Sequence, residues 1–164
     1  MTRIAVFGDT HVPSRADEIP DWVREEASRA DHVIHTGDFD SADAFGEVWE
    51  FAGEPLIAVS GNMDSDFGLP TTEALNVEDV TFVVTHGTGD LDSYEERVAG
   101  IAREEGGAEA IAISGHTHQV TDTTVEGTRL LNPGSATGAA PASTATMFVL
   151  DVEEGDIDVT RREE

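Results

Sequence analysis

Ile4-Ala5-Val6-Phe7-Gly8-Asp9-Thr10-His11 is the stretch from which the rest of the chain can be read. Its four-residue apolar run reads as a buried strand, ended by the glycine and aspartate that follow. Ile19, Trp22, Val23, Ala27 and Ala30 then recur at helical spacing, with Pro20 accommodated in the first turn. His32 to His35 reads as a second strand. Phe45, Val48, Trp49 and Ala52 mark a second amphipathic helix, which Gly53 and Pro55 end, and Leu56-Ile57-Ala58-Val59 is a third strand. Two consecutive β-α-β units predict a parallel sheet with right-handed crossovers.

Beyond residue 70 the pattern changes. Val80 to Val84 reads as a strand paired with a short one near Ala74 to Val77. Ser93 and Glu96 have the spacing of a capping box, opening a helix whose inward face is Tyr94, Val98, Ile101 and Ala102. Gly106-Gly107 stops that helix, and Ala110 to Ile113 is the next strand. Short strands follow at Val120 to Val125, Arg129 to Leu131, Thr146 to Val152 and Ile157 to Val159. The reading is a mixed α/β fold, parallel early and antiparallel late, in a single domain over residues 1–164. Gly134 to Thr144, rich in Gly, Ala and Ser, is the expected mobile loop.

Composition narrows the function. Against 34 Asp+Glu the 164-residue chain sets only 9 basic residues, all of them Arg, for a net charge of −25. The acids are scattered, which points to a folded domain with an acidic skin rather than a charged tail. Such self-repulsion disfavours a compact chain in dilute buffer. At molar salt the Debye length falls to about 3 Å and the repulsion is screened, so the composition points to a salt-rich cytoplasm. No basic stripe is present for nucleic acid to grip. There is no Cys, which excludes disulfides, thiolate metal sites and thiol nucleophiles. No apolar stretch has the length of a membrane span or a signal-peptide core, so a soluble, cytoplasmic protein is expected.

Nearly every predicted strand runs at its C-terminal end into a glycine beside a metal-competent side chain. The pairs are Gly8-Asp9-Thr10-His11, Gly37-Asp38, Gly61-Asn62, His86-Gly87 and Gly115-His116-Thr117-His118. Each alone reads as an ordinary turn or a satisfied histidine. Jointly, four of the six histidines and three Asp/Asn groups occupy equivalent points of five strands. The carboxyl ends of strands are where open α/β sheets build ligand sites. Seven N and O donors exceed the needs of one ion with an open position. A shared carboxylate would let them serve two ions about 3.5–4 Å apart, the spacing suited to in-line attack on phosphorus by a bridging hydroxide.

In motif order and spacing these residues resemble the calcineurin-like metallophosphoesterases. Thr85-His86-Gly87, Asn132-Pro133-Gly134-Ser135 and the short length make the chain similar to the small YfcE-type phosphodiesterase branch. The resemblance implies a mixed-sheet sandwich flanked by helices, αββα, with metals at the strand ends. It implies one metal on Asp9, His11, Asp38 and His118, and a second on Asp38, Asn62, His86 and His116, bridged by Asp38. Asp38, Asn62 and His116 are the residues it places nearest the chemistry. The expected cofactor is a pair of divalent ions, Mn first, with Ni, Zn, Fe or Co also suited to an all-N/O set. The expected partner is a small phosphoester substrate, and family members often self-associate, so a homo-oligomer is open. Where larger relatives carry Gly-Asn-His-Glu this chain reads Gly61-Asn62-Met63-Asp64, so no histidine general acid is read there. The branch's Pro-Arg after the Asn-Pro-Gly-Ser turn is Pro141-Ala142 here, leaving no evident arginine clamp.

Around these motifs, His35 reads either as support for the Asp38 loop or as a satisfied strand histidine. Asp40 and Asp64 read as orienting groups or as turn caps, and Trp22 and Trp49 as core residues. The rival function is a non-catalytic, metal-binding protein-interaction scaffold, because the small subunit of the retromer coat resembles the same branch. The charge balance yields a prediction. Thermal melts followed by circular dichroism should give a Tm higher in molar KCl than in dilute buffer by roughly 5 °C or more, ~1–2 kcal/mol. An unchanged or lower Tm would remove the salt-adaptation reading.

Overall fold

The elements follow the apolar runs closely: β1 (Thr2–Phe7), α1 (Asp21–Ser28), β2 (His32–His35), α2 (Ala42–Ala52), β3 (Leu56–Ala58), β4 (Thr72–Val77) and β5 (Val80–Thr85). They continue with α3 (Tyr94–Gly106), β6 (Ile111–Ile113), β7 (Val120–Val125), β8 (Thr128–Pro133), β9 (Thr146–Glu153) and β10 (Asp156–Glu163). The computed structural model describes residues 1–53, 56–62, 64 and 68–163; the Pro55 stop signal, Met63 and part of the Ser65 to Thr72 loop lie outside the described residues. The strands form two five-stranded sheets, in the orders β10-β9-β1-β2-β3 and β4-β5-β6-β8-β7.

Side-chain alternation along the strands dictates the layers. Ile4 and Val6 point into a core between the sheets, where they meet Ile34, Phe82, Ile113 and Leu131. Ala5 and Phe7 point the other way, onto Val23 and Ala27 of α1 and Val48 of α2. Val83, Ala112 and Leu130 likewise back onto Tyr94, Val98 and Ala102 of α3. The result is an αββα sandwich whose central strands are buried on both faces, which is why their sequences read as continuous apolar runs. Among the described residues, no helix is long and apolar enough to cross a membrane.

Several expectations need correction. The late half is not simply antiparallel, because β5 pairs parallel with β6, and β6 parallel with β8. Helix α3 supplies the β5-to-β6 crossover, and β7 folds back as an antiparallel edge strand beyond β8. The capping box at Ser93 does not form: Ser93 makes no side-chain cap bond, and its hydroxyl accepts from Arg97 Nε at 3.0 Å. The arginine one turn along competes with the backbone for the same oxygen. Helix α2 is capped as such signals predict, with Ser41 Oγ accepting from Ala44 N–H at 3.0 Å. Trp49 is not a core residue but 44% exposed, because α2 seats on its sheet through the narrower stripe of Ala44 and Val48.

The Gly134 to Thr144 loop is also better anchored than its composition suggests. Ala136 and Ser135 are fully buried, Ala136 N–H donates to Gly8 O at 3.1 Å, and Thr137 Oγ1 donates to Thr10 O at 2.8 Å. Small side chains here allow close packing against the β1 loop. The sandwich core generates its own test. Phe82→Ala should lower stability in urea denaturation by about 3–5 kcal/mol, since a fully buried ring between two sheets leaves a cavity neither sheet can close. A loss below 1 kcal/mol would contradict the burial assigned to it.

Candidate metal centre

Register brings the strand ends together. Phe7, His35 and Ala58 are laterally aligned across β1, β2 and β3, as are Val84, Ile113 and Leu131 across β5, β6 and β8. The loops that leave these ends are then stitched to one another. Asp9 N–H donates to Gly37 O at 3.0 Å, His11 N–H to Asp38 O at 3.1 Å, and Gly115 N–H to His86 O at 3.1 Å. Two donor groups result, sharing one residue. Asp9, His11, Asp38 and His118 offer ligand atoms within 4.8 Å of one another, and so do Asp38, His86 and His116.

Two of the motif glycines, Gly37 (φ 105°) and Gly87 (φ 87°), take left-handed backbone, and the other three serve a different purpose. At Gly8, Gly61 and Gly115 the backbone is not left-handed; a Cβ there would collide with Thr36, with Asp38, and with Thr36 and Asp9 respectively. They are small so that loops can touch. Left-handed backbone falls also on the donors themselves, with positive φ at Asp9 (47°), His11 (46°), Asp38 (64°), His116 (75°) and His118 (62°). Each such residue carries strain of order 1 kcal/mol, held by the surrounding loop network.

Hydrogen bonds fix which ring nitrogen faces the cluster. His11 Nδ1 lies 2.9 Å from Asp40 Oδ1, so Nδ1–H donates to that carboxylate. His86 Nδ1–H donates to Thr36 O at 2.7 Å, and His118 Nδ1–H to Ala139 O at 2.9 Å. All three therefore aim an Nε2 lone pair inward, with His11 Nε2 only 3.1 Å from His118 Nε2. Two lone pairs at that distance repel unless a cation lies between them. Donors about 2.1 Å from one ion at tetrahedral or right-angle geometry sit about 3.0–3.4 Å apart, which this pair matches. Among the described residues the buried His86 Nε2 and His116 Nδ1 have no hydrogen-bond partner, although His86 Nε2 lies 3.2 Å from the Asp38 carboxylate. The chain's residues thus fit divalent ions.

Electrostatics points the same way. Burial pushes the Asp9 carboxyl up to about 7; the nearby Asp38 charge adds to this, and His86 opposes it. For His86 burial works against the charged ring, but the Asp38 carboxylate, 3.2 Å from Nε2, and the Asp9 charge outweigh that and raise its pKa. His116 and His118 are lowered by burial first, then by neighbouring histidines despite the Ala139 carbonyl at His118. Buried acids and bases compete for too few protons, a conflict that bound cations would resolve.

The supporting residues were only partly foreseen. Asp64, 1% exposed, accepts four backbone N–H bonds: from Asp38 (2.6 Å), Phe39 (2.9 Å), Asp40 (3.1 Å) and Gly61 (3.0 Å). It locks the Asp38 loop to the turn bearing Asn62. Asn62 itself is exposed on that turn, next to Gly61, whose backbone packs on Asp38. Asp40 holds His11 and also accepts from Ser14 Oγ. His35 takes the supporting role: Nδ1 accepts from Gly37 N–H at 3.0 Å, which leaves Nε2–H for Thr10 Oγ1 at 3.2 Å. Its burial holds the ring neutral, with a pKa well below the usual range.

Sequence reasoning assigned no role to Tyr94 beyond the core and none to the Asn132 side chain beyond its turn. Tyr94 Oη donates to Gly115 O at 2.6 Å, and Asn132 Nδ2 donates to Gly115 O at 3.1 Å and Thr117 Oγ1 at 2.9 Å. Together they fix the loop that carries His116 and His118. The only sequence signal for Asn132 was its place in Asn-Pro-Gly-Ser. The four-bond carboxylate gives a prediction. Asp64→Asn turns one acceptor oxygen into an NH2 facing N–H groups, so stability should fall by roughly 3 kcal/mol or more. Metal content per chain, measured by mass spectrometry of the elements, should fall with it; full loading at unchanged Tm would contradict the role.

Comparison with known proteins agrees with this geometry. Residues 2–155 match the calcineurin-like phosphoesterase superfamily domain. A probable metallophosphoesterase of Methanothermobacter thermautotrophicus is 35% identical over 163 residues, covering 96% of this chain and 91% of that protein. Vps29 of Entamoeba histolytica, solved in complex with zinc, has 24% identity and a TM-score of 0.74, covering 98% of both chains. A novel archaeal phosphodiesterase has 24% identity and a TM-score of 0.72, covering 98% of this chain and 99% of that one. The two solved structures show the shared fold, and the match over 2–155 together with the 35% relative shows the family: this chain belongs to the calcineurin-like phosphoesterase superfamily.

Proposed function

We propose that this protein is a metal-dependent phosphoesterase, acting on small phosphodiesters of the kind the YfcE-type branch hydrolyses. The observation that carries the reading is the sharing of Asp38 by two donor groups at one end of the sandwich. Asp9, His11, Asp38 and His118 would hold one divalent ion, and Asp38, His86 and His116, with Asn62 beside them, the other. Such ions supply Lewis-acid charge for a phosphoryl group and bring a water's pKa toward neutrality.

The chain's own residues do the rest. Asp64 and Asp40 keep Asp38 and His11 in place, and the Thr36 and Ala139 carbonyls keep His86 and His118 in the tautomer that faces inward. His116 is half-buried, so it reaches solvent and an incoming substrate while its loop is pinned by Asn132 and Tyr94. A cavity of about 280 Å3, lined by His118, Gln119, Pro141, Ser143 and Arg161 among others, opens beside the donors and suits the alcohol portion of a small ester.

The solved structures favour a second reading more directly than the first. Several are Vps29, from Entamoeba histolytica, Cryptosporidium parvum and Chaetomium thermophilum, named for vacuolar protein sorting rather than for hydrolysis. On that reading the chain is a metal-binding scaffold for protein partners, and the donor set serves structure. Turnover separates the two. Chelator-stripped protein should regain hydrolysis of an aryl phosphodiester with Mn²⁺, Ni²⁺ or Zn²⁺ in molar KCl, and Asp38→Asn should reduce kcat about 10³-fold. No turnover by folded, loaded protein would establish the scaffold reading instead.

A further inference from the structure

Arginine is scarce in this chain, and most of it is spent on neighbouring acids. Six of the nine, Arg3, Arg24, Arg103, Arg129, Arg161 and Arg162, pair with carboxylates. Among the described residues Arg15, Arg29 and Arg97 do not, although the chain carries 34 acidic groups. Two of these three stand beside the metal centre. Arg97 is consumed by neutral acceptors: Ser93 Oγ and the carbonyls of Thr88, Gly87 and Asp90, at 2.7–3.4 Å. It braces the loop after His86 and has little donor capacity left.

Arg15 is different. Its backbone N–H donates to His11 O at 2.8 Å, and its side chain makes one bond, from one terminal nitrogen to Ala140 O at 3.0 Å. The residue before, Ala139, is the one whose carbonyl holds His118. Consecutive Cα atoms are about 3.8 Å apart, so the guanidinium sits a few ångströms from the anchor of one donor histidine while its backbone grips another. The loop that receives it is fixed, since Ser135 Oγ donates to Asp9 O at 2.7 Å and Thr137 to Thr10 O at 2.8 Å. Arg15 is exposed, and among the described residues its only side-chain bond is that to Ala140 O, which leaves Nε and the second terminal nitrogen without a protein partner. A guanidinium has five N–H donors in a rigid fork suited to phosphoryl oxygens.

We propose that Arg15 is a substrate-binding residue, whose free N–H groups take a non-bridging oxygen of the phosphoester while the donor cluster engages the same phosphoryl group. The inference rests on the phosphoesterase reading above and names the group that reads the substrate's negative charge. The sequence shows no arginine next to the Asn132-Pro133-Gly134-Ser135 turn; the fold brings one to that loop from 125 residues away. In a chain of net charge −25 an unneutralised guanidinium at the site also offsets, locally, the repulsion that an anionic ester meets on approach.

The test uses the full chain, metal-loaded, in molar KCl, with inorganic phosphate as the binding probe and an aryl phosphodiester as substrate. Arg15→Gln should weaken phosphate binding in calorimetry by about ten- to a hundredfold and raise KM by a similar factor, with kcat changed far less. Arg15→Lys should fall between, and Arg29→Gln, at the C-terminal end of α1, should match the wild type. Metal content and Tm of the Arg15 variants should equal those of the wild type. Phosphate affinity and KM unmoved by Arg15→Gln would overturn the proposal while leaving the phosphoesterase reading intact. Loss of metal or of stability in both Arg15 variants would make the residue a structural staple and also overturn it. Wild-type protein that binds phosphate through Arg15 without turning over a phosphoester would overturn the enzyme reading alone.

Discussion

Asp9 and Asp38 are carboxylates placed almost wholly out of water, and much of the upper end of the sandwich exists to hold them there. Removing two neighbouring negative groups from solvent is costly unless positive charge meets them. Here four imidazoles surround the pair, with His86 Nε2 at 3.2 Å from Asp38 and His118 Nε2 at 3.6 Å from Asp9. Protons alone meet the demand poorly, because burial holds the His116 and His118 rings below the usual imidazole range. The donors are therefore arranged for cations larger in charge than a proton.

That arrangement depends on a layer of residues that never touch the cluster's centre. Asp64 gathers four N–H groups, Asp40 and two carbonyls select tautomers, and Asn132 with Tyr94 pins the loop of the last two histidines. Tyr94, whose pKa burial pushes up to about 12, remains a hydroxyl and serves as a donor. The sheets supply rigidity below, and close loop contacts supply it above. Gly8, Gly61 and Gly115 make those contacts sterically possible, and five donors adopt left-handed backbone within the same loops.

Charge is distributed with the same economy. The exterior is strongly negative, and six arginines are tied to carboxylates; most of these pairs are exposed and contribute little to stability, while Glu26, the partner of Arg162, is buried. Among the described residues Arg15 and Arg97 pair with no acid, one lying near the loop that holds His118 and one near the loop that follows His86. Any anion approaching the molecule meets net repulsion at long range, with Arg15 and Arg97 as cationic groups near the strand ends. High ionic strength suppresses the former over distances beyond a few ångströms and leaves short contacts largely intact.

The sequence alone determined a good deal. Unbroken apolar runs such as Ile4 to Phe7 can be buried only on both faces, which forces helices outside the sheets, and three such runs separated by helical periods are enough to define parallel units. The recurrence of Gly with Asp, Asn or His after each run located the site, because parallel strands share one carboxyl end. What the sequence could not show depends on distances between residues far apart in the chain. That Asp64 would bind the Asp38 loop, that Asn132 would reach Gly115, and that Arg15 would meet Ala140 are consequences of how two sheets stack. The misreadings have the same origin: Ser93 lost its cap to Arg97, and the small-residue loop after Gly134 was anchored by β1. Local pattern fixes which face is buried, since that follows from periodicity. Only the packed fold decides which polar groups meet, since a hydrogen bond within 3 Å depends on every element that sets the two backbones in place.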